Sequence, residues 1–573
     1  MTIIFNSPAD FAEEQLEGFL DLYSDRLTGV PGGAVAHRTA DAQVAVVVGG
    51  GSGHYPAFCG LIGPGFATGA VVGNIFTSPS AAQVYSVAKA ADQGRGVILT
   101  FGNYAGDVMN FGIAAKRLNH EGIDTRIVVV TDDIASSTKE DERRGIAGDF
   151  TVFKALGAAA AAGLDIDEVE RVGRAANAAT RTFGVAFSGC TMPGASEPLF
   201  AVPDGNMGVG LGIHGEPGVR DEPMPSADSL AETLTTELLT HAPSGSSKRV
   251  AVILNGLGTT KYEELFLLWR SIAPRLRGAG LAIIEPEVGE LVTSLDMGGL
   301  SLTIMWLDDE LERVWTADAY TPAYRKQAAP IAGLKAIRSA DVIDDDVEST
   351  PEASPAGRDA ASRVVDGLRL IGETLHDNED ELGRIDSIAG DGDHGRGMVR
   401  GVDAAIAAAE VALGRGAGPG WLLIRAGRAW AALAGGTSGV LWGAGLEAAG
   451  SQLDDASSRF GLPEAALAMH AFSDAITELG GAFLGDKTMV DAILPFVEAL
   501  DGGQSDGVGF AAAWRAASDR ATDAATSTAA LTPRRGRARP LAERSVGTPD
   551  AGAISFAMIV TALATTETNT EES

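Results

Sequence analysis

The sequence predicts two halves of different fold class, an α/β half followed by an all-α half. Short β-rich runs alternate with helical patterns in the first half, whereas nearly every long segment of the second is helical and rich in alanine. The composition changes abruptly at residues 344–360, DDDVESTPEASPAGRDA. Its acidic, proline and small residues bury too little apolar surface to order themselves. We therefore place the α/β half at 1–340, a linker at 341–360 and the helical half at 361–573.

The first half is predicted to contain two α/β units. Its clearest strands are AQVAVVVGG, GRGVILTFGN and DTRIVVVTDD, and the helical segments between them end near glycine. This alternation favours parallel strands covered by helices. A second α/β unit is predicted after Cys190, with strand candidates in KRVAVILNGLG, LAIIEPEVG and LSLTIMWLDDELERVW.

The second half shows helical patterns throughout and no convincing strand. Two examples are GWLLIRAGRAWAALAGG and MVDAILPFVEALDGG, both with apolar residues at helical spacing. At roughly 210 residues this half is large for a simple four-helix bundle. We therefore predict an all-α domain with more than four helices.

Composition and charge exclude several classes of protein. The chain has 573 residues and a formal net charge of −32, which repels nucleic-acid phosphates and anionic lipids. An anionic substrate stays possible, because local amides, lysines or metal ions reverse the field within one site. Only Cys59 and Cys190 are present, so the chain is not a secreted disulfide scaffold. With no signal-peptide pattern and no run of about 18 apolar residues, we predict a cytoplasmic protein without a membrane span.

Three aspartates crowd one glycine-punctuated segment of the helical half. Asp386, Asp391 and Asp393 stand in IDSIAGDGDHGRG. Carboxylates this close repel one another unless a cation neutralises them, and such hard oxygen ligands suit Mg²⁺ or Ca²⁺. The segment lacks the ligand spacing and closing glutamate of an EF-hand. The alternative is a solvated acidic turn at the start of a helix.

A second segment of the same half is suited to bind phosphate. Small and hydroxyl residues at 435–439 can turn backbone N–H groups towards phosphate oxygens at the start of a helix. The chain has no Walker A sequence, since GLGTTKYE lacks its glycine spacing. A phosphate site beside metal ligands indicates a bound nucleotide.

In the α/β half, three polar side chains stand in glycine-lined turns near predicted strand ends. His54 follows the glycines of VVVGGGSGHYPAF, Asp107 lies in LTFGNYAGDVMNFG, and His214 lies in GVGLGIHGEPG. A tight turn with a stray histidine would explain any one of them. Together they favour a small polar substrate pocket, although their spacing does not decide the chemistry.

Seven short motifs follow one another along the chain: GGGSGH, NYAGD, GIHGEPG, TSLDMGGLSLTIMWLDDEL, GDGDHG, GGTSG and GDKTM. By these motifs, in this order, residues 10–565 resemble the single-chain, ATP-dependent dihydroxyacetone kinases. The resemblance implies a substrate half with two α/β subdomains and a nucleotide domain built as a barrel of helices. It also implies a homodimer in which the nucleotide domain of one chain can serve the substrate site of the other.

The resemblance assigns roles in the substrate half. It implies that His214 attacks the ketone carbon through a ring nitrogen and forms a covalent hemiaminal, which filters out polyols. His54 and Asp107 are expected to hydrogen-bond the hydroxyl that is phosphorylated, and one of the two acts as general base. The residues expected to cradle the substrate are Gly51, Ser52, Gly53 and His54.

The resemblance also assigns the nucleotide site. Asp386, Asp391 and Asp393 are expected to hold two Mg²⁺ ions that bridge the phosphates of ATP. Phosphoryl transfer needs mainly positioning and charge neutralisation, which such a clamp supplies. The residues expected to line the nucleotide are His394, Gly395, Thr437, Ser438, Gly439, Arg537, Asp550 and Gly552.

Three departures from the family pattern bear on the substrate. Tyr55 stands where the family usually has glutamate, Phe58 replaces a histidine, and Gly102 replaces a substrate-contacting lysine. We interpret them as a pocket rebuilt for a longer ketose, with Tyr55 and Phe58 making its wall more aromatic. The predicted function is ATP-dependent phosphorylation of a terminal hydroxyl of a short ketose, favouring D- or L-erythrulose.

Other functions stay open at this point. If the departures are neutral, the chain is a dihydroxyacetone kinase. A non-catalytic ketose-sensing protein would keep the pocket but not the three aspartates. An enzyme that takes phosphate from a phosphotransferase protein usually has its two halves on separate chains.

Overall fold

The computed structural model describes residues 2–38, 41–210, 212–216, 218–327, 349–534 and 542–566. The chain divides into two units between residues 336 and 337. Residues 341–348 of the predicted linker lie outside the described residues. The linker prediction is wrong for residues 355–360, which begin a helix. Ser354 caps that helix by accepting a hydrogen bond from the Gly357 N–H at 2.8 Å, and Pro355 suits its first turn.

The first unit is an α/β structure. Its strands are β1 (Leu27–Val30), β2 (Gly33–Ala36), β3 (Ala45–Ser52), β4 (Gly69–Ile75), β5 (Val97–Gly102), β6 (Thr125–Val130), β7 (Thr180–Ala186), β8 (Asn206–Val209), β9 (Arg220–Pro223), β10 (Arg249–Gly256), β11 (Ala282–Ile283), β12 (Glu287–Gly289), β13 (Gly299–Trp306), β14 (Ala319–Tyr320) and β15 (Arg325–Lys326). Its helices are α1 (Phe11–Leu22), α2 (Ala81–Ala91), α3 (Ala105–His120), α4 (Gly148–Ala161), α5 (Ile166–Ala179), α6 (Ala227–Thr240), α7 (Tyr262–Gly278) and α8 (Asp309–Thr316).

The first sheet has the predicted parallel centre. Its order is β1-β2-β4-β3-β5-β6, with β4, β3, β5 and β6 parallel and the β1–β2 hairpin antiparallel at one edge. Strand β3 is buried along its whole length, and helices α2 and α4 both pack against it. Parallel strands need such helical cover, and their continuous apolar runs reflect it. This sheet carries the glycine-rich turn that follows β3.

The second sheet departs from the prediction. Its order is β11-β10-β13-β7-β8-β9, and the pairs from β10 to β9 are antiparallel. Because β7 belongs to it, this sheet begins before Cys190 and not after it. The segment LSLTIMWLDDELERVW is strand β13 followed by helix α8, since Asp308 accepts a hydrogen bond from the Leu311 N–H at 2.8 Å and starts the helix. The segment LAIIEPEVG divides into β11 and β12.

The second unit consists of helices and loops, with no strand among its described residues. Its helices are α9 (Pro355–Asp377), α10 (Glu379–Asp386), α11 (His394–Gly414), α12 (Pro419–Ala434), α13 (Gly436–Ser451), α14 (Leu462–Gly480), α15 (Val490–Ser505), α16 (Phe510–Ser527), α17 (Ala542–Ser545) and α18 (Ala551–Thr566).

These helices close into a barrel. Each packs against the next in the order α9-α11-α12-α13-α14-α15-α16-α18, and α18 packs against α9. The interior is apolar, with the Trp430 and Trp442 rings stacked 5.3 Å apart and Phe472 and Phe556 beside Trp442. Small residues on the facing sides let helices approach closely: a Cβ on Gly427 would lie 2.6 Å from the Gly443 oxygen. The alanine- and glycine-rich sequence therefore builds a closely packed ring of helices.

The predictions from the sequence also concern disulfide bonds and membrane spans. Cys59 and Cys190 are both buried and form no disulfide. Of the helices described here, none is long and apolar enough to cross a bilayer.

Candidate active site

The glycine-rich end of β3 lies close to the segment that follows β4. A Cβ on Gly51 would lie 2.6 Å from the Thr77 nitrogen, so only glycine lets these two segments approach so closely. Gly53 has φ +103°, which is strained for other residues. His54 follows Gly53 directly, and its side chain is buried. The sharp turn thus serves to place a histidine at the carboxyl end of the central strand.

The His54 ring is held in one tautomer. Its Nδ1 lies 2.7 Å from the Thr293 carbonyl oxygen, and its face stacks on Phe76 at 5.1 Å. A carbonyl can only accept, so Nδ1 carries the proton and Nε2 keeps a lone pair. Burial, and then the charge of His214, lower the pKa of His54 to about 3. His54 is therefore a neutral hydrogen-bonding group at neutral pH.

His214 faces His54 and is oriented by Glu216. Its Nδ1 lies 3.0 Å from Glu216 Oε1, and its backbone N–H donates to Glu216 Oε2 at 2.9 Å. Burial alone would raise the pKa of Glu216, but the hydrogen bond and charge of His214 hold it at about 2. The Nε2 atoms of the two histidines are 2.9 Å apart. Both Nδ1 atoms face acceptors, so in two neutral rings neither Nε2 carries a proton. A hydrogen bond between the two Nε2 atoms therefore needs one additional proton on one of them.

Asp107 supplies a carboxyl group in the first turn of α3. It accepts a hydrogen bond from the Ser78 hydroxyl at 2.8 Å, and the Asn110 amide donates to that hydroxyl at 3.2 Å. Burial raises the pKa of Asp107 to about 6, even though the Ser78 hydrogen bond acts in the opposite direction. A carboxyl group with this pKa takes up or releases a proton near neutral pH.

These groups share one cavity, called here the ketose cavity, of about 420 Å³. The structure brings together four of the predicted substrate residues on its wall: Gly51, His54, Asp107 and His214. Ser52 and Gly53 do not line it, because they form the turn behind it, where the Ser52 side chain is buried.

Only two of the three family departures lie on this wall. Phe58 and Gly102 line the ketose cavity, and the Phe58 ring meets His54 edge-on at 6.3 Å. The expectation for Tyr55 is wrong. Its side chain is 44% exposed and packs near Phe19, with ring centroids 6.2 Å apart, so it is absent from the cavity wall.

A second cavity of about 280 Å³, called here the acidic cavity, lies in the helical unit. Asp386, Asp391 and Asp393 each offer it a carboxylate oxygen, and these atoms lie within 4.8 Å of one another. The Gly392 N–H donates to Asp386 Oδ2 at 2.8 Å and orients that carboxylate. Three convergent carboxylates provide the oxygen donors that Mg²⁺ prefers, so the residues present fit this ion.

The beginnings of three helices meet beside the aspartates. His394 at the start of α11 lies 3.2 Å from Ser438 Oγ through Nδ1 and 3.0 Å from Ser555 Oγ through Nε2. Burial lowers its pKa, so the ring is a neutral link between helices. Asp550 Oδ1 accepts from the Ala553 N–H at 2.8 Å, and burial raises the Asp550 pKa to about 6. This arrangement points several backbone N–H groups into one cavity.

Most of the predicted nucleotide residues lie on this wall. They are His394, Thr437, Ser438, Asp550 and Gly552. Gly395 and Gly439 do not line it, because both are needed for packing: a Cβ on Gly395 would lie 2.0 Å from the Glu379 oxygen, and one on Gly439 2.9 Å from the Ala434 Cβ. Arg537 lies outside the described residues.

Several site residues were not predicted. Glu216 stands two positions after His214 in GIHGEPG, so the short spacing of the two was a readable signal. Ser78 contacts Asp107 and Thr293 contacts His54 only because the fold brings them together. No sequence motif around either residue marks it as part of the site. Lys487 of GDKTM lines the acidic cavity, and its Nζ donates to the Ser545 oxygen at 2.7 Å.

Comparisons with known proteins agree with this architecture. Residues 17–323 match the Dak1 domain family and residues 388–565 the DAK2 domain family. The chain is 58% identical over 97% of both chains to the D-erythrulose kinase of Mycolicibacterium smegmatis. It is 55% identical to the L-erythrulose 1-kinase of that organism, over 98% of this chain and 99% of the relative.

A solved structure matches both halves. The dihydroxyacetone kinase from C. freundii in complex with AMP-PNP and Mg²⁺ superposes with a TM-score of 0.59 at 28% identity. The match covers 98% of this chain and 99% of the other. The chain therefore belongs to the dihydroxyacetone kinase family and carries both domains of that family on one polypeptide.

Proposed function

We propose that the protein is an ATP- and Mg²⁺-dependent kinase that phosphorylates a terminal hydroxyl of erythrulose. The observation that carries this proposal is the pairing in one cavity of His214, oriented by Glu216, with His54 and Asp107. Two relatives that share more than half of the residues are named for D- and L-erythrulose, which supports the four-carbon substrate.

His214 is proposed to hold the ketose covalently. Its Nε2 lone pair attacks the ketone carbon, so an N–C bond forms while the carbonyl π bond breaks. That electron pair moves to the carbonyl oxygen, which takes up a proton. The imidazole loses its Nδ1 proton in exchange, and the Glu216 carboxylate 3.0 Å away stabilises the charge in between. A polyol lacks an electrophilic carbon, so it cannot be held in this way.

Asp107 is proposed as the general base. The base must remove the proton of the terminal hydroxyl as phosphate transfer begins, and it works best when its pKa lies near the operating pH. The pKa of Asp107 is about 6, whereas that of His54 is about 3. We therefore assign proton removal to Asp107. The neutral His54, whose Nε2 likewise only accepts, is a neighbour of the hydroxyl and not its base.

The acidic cavity is proposed to bind ATP with two Mg²⁺ ions. Asp386, Asp391 and Asp393 would hold the ions, whose charge neutralises the phosphates during transfer. His394, Thr437, Ser438 and Asp550 would position the nucleotide through the helix starts that they join. The AMP-PNP and Mg²⁺ complex of the C. freundii enzyme supports this assignment.

A homodimer and a cytoplasmic location complete the proposal and stay predictions. The homodimer rests on the family resemblance, in which the nucleotide domain of one chain can serve the substrate site of the other. Analytical ultracentrifugation of the purified protein tests it, with a mass near 118 kDa expected from two chains of 58.8 kDa each.

The proposed activity is tested with purified protein, ATP, Mg²⁺ and erythrulose, with no other protein present. We expect one ADP and one phosphorylated ketose per turnover. His214→Asn and Asp393→Asn serve as paired negative controls, one for each cavity. ATP hydrolysis that does not respond to ketose, or a requirement for a separate phosphate-donor protein, would contradict the proposal.

A further inference from the structure

Asp149 is a buried carboxyl group on the wall of the ketose cavity that the proposed reaction does not use. It is the second residue of α4 and only 4% exposed. It lines the cavity, yet its Oδ1 is buried without a hydrogen-bond partner among the described residues. A buried polar atom without a partner is unfavourable, so this group calls for a ligand that completes its hydrogen bonds.

The surrounding residues explain why Asp149 is unpartnered. The neighbouring Asp132 accepts hydrogen bonds from the backbone N–H groups of Ile146 at 2.9 Å and Gly148 at 2.7 Å. These amides at the start of α4 are therefore not free to donate to Asp149. Burial, followed by the charges of Asp132 and Asp107, raises the pKa of Asp149 well above its usual range. A protonated carboxyl group offers one donor and one acceptor, which suits a hydroxyl group.

Tyr104 lines the same cavity and carries a second unpartnered group. Its ring meets His214 edge-on at 4.9 Å, and its hydroxyl is buried with no partner among the described residues. Burial raises its pKa well above the usual range, so the hydroxyl stays protonated.

The wall between these two groups is made of backbone. A Cβ on Gly102 would lie 3.0 Å from the Gly145 oxygen and 3.2 Å from Tyr104 Cε2. Both glycines line the cavity, and Asp149 stands four residues after Gly145 in the chain. The absence of side chains at 102 and 145 lets these two backbone segments pack closely on the wall between Tyr104 and Asp149.

A count of hydroxyl groups connects these features to the substrate. The proposed reaction uses His54 and Asp107 for the transferred hydroxyl and His214 for the ketone carbon. Dihydroxyacetone then has one hydroxyl left, whereas erythrulose has two, and the cavity offers two unpartnered buried groups. We infer that Asp149, together with the Tyr104 hydroxyl, binds the non-reacting hydroxyl groups and so selects a four-carbon ketose over dihydroxyacetone. This inference rests on the proposed function.

The test is the ratio of kcat/KM for erythrulose to that for dihydroxyacetone, measured with each erythrulose enantiomer. We expect Asp149→Ala and Tyr104→Phe each to lower this ratio by about tenfold, as for a lost hydrogen bond in a closed site. Asp149→Asn keeps a donor and an acceptor and should restore part of the ratio. Thr100→Val is the matched control, since the Thr100 hydroxyl is also buried and unpartnered but does not line the cavity, and its ratio should match wild type.

The outcomes separate this inference from the proposed function. A wild-type enzyme that prefers dihydroxyacetone contradicts the proposed function. A wild-type preference for erythrulose that survives in both Asp149→Ala and Tyr104→Phe overturns the inference alone. Equal losses on both substrates in both variants also overturn it, because they indicate a structural role. Melting temperatures identify a variant that is merely unfolded, and the conservative Tyr104→Phe keeps the test decisive.

Discussion

The two cavities of this protein achieve recognition by opposite means. Among the described residues that line the ketose cavity, His54, Tyr104 and Asp149 are neutral at pH 7. Its carboxylate Glu216 is engaged by His214, and Asp107 is ionised above about pH 6. The acidic cavity is lined by four aspartates, three of which converge, and two of these three, Asp391 and Asp393, are exposed. The first arrangement suits an uncharged polyhydroxylated ligand held by hydrogen bonds and one covalent bond. The second suits a charged ligand that arrives with metal ions.

The comparison teaches that the two ligands can be lost separately. Each cavity is formed within its own unit, and none of the residues that the structure describes lines both. A substitution in one cavity should therefore remove one ligand and leave the affinity for the other. The predictions below use this independence, beginning with the largest expected effect.

Asp391→Asn or Asp393→Asn should lower kcat by at least about 10³-fold, roughly 4 kcal/mol of transition-state stabilisation. Each change removes an anionic ligand from the metal cluster, so AMP-PNP affinity in the presence of Mg²⁺ should also fall. Binding of ketose should stay close to wild type. Steady-state kinetics and calorimetric titration with each ligand measure the three quantities.

Asp519→Asn is the matched control, because Asp519 is exposed on α16 and does not line the acidic cavity. Its kinetics should equal those of wild type. Normal turnover in both Asp391→Asn and Asp393→Asn at ordinary Mg²⁺ would show that the aspartates form only a solvated turn.

His214→Asn should lower kcat/KM for erythrulose by about 100-fold and weaken discrimination against glycerol. The amide can still hydrogen-bond but cannot attack the ketone carbon. Nucleotide affinity should be unchanged. His241→Asn, at an exposed histidine that follows α6, is the control. Undiminished activity of His214→Asn at low ketose concentration would remove His214 from its proposed role.

The pH profile of kcat/KM should show an acidic limb near pH 6. Burial raises the pKa of Asp107 to about 6, and the general base must be ionised, so activity falls about tenfold per unit as the pH drops below this value. Residual activity of Asp107→Asn should lack the limb.

Asp550 in the acidic cavity also has a pKa of about 6, so the origin of the limb needs a control. AMP-PNP affinity measured over the same pH range supplies it. A limb that follows nucleotide affinity and persists in Asp107→Asn would assign the titration to the helical unit.

The smallest effect is expected at Tyr55. Its exposed ring lies outside the ketose cavity, so Tyr55→Phe should change the ratio of kcat/KM for erythrulose and dihydroxyacetone by less than about twofold. Phe58→Leu, on the cavity wall, should change it more. A larger effect of Tyr55→Phe than of Phe58→Leu would show that the wall is wrongly assigned.

The sequence predicted local features better than long-range pairing. The α/β and helical halves are confirmed, because strand and helix periodicities are local. The antiparallel second sheet was missed, since β7 and β13 pair across more than a hundred residues with no signal in either. In the sites, motif residues such as His214 were readable. Asp149 was not, because its burial and lack of a partner arise only when α4 packs beside β5.

The most direct test of the central claim compares four substrates with ATP and Mg²⁺: D-erythrulose, L-erythrulose, dihydroxyacetone and glyceraldehyde. The quantity is kcat/KM for each, measured on one preparation. We predict that one erythrulose enantiomer exceeds dihydroxyacetone by at least about tenfold, or roughly 1.4 kcal/mol of differential transition-state binding. Some activity on dihydroxyacetone should remain. If dihydroxyacetone is instead the best of the four, the ketose cavity is not built for a four-carbon substrate.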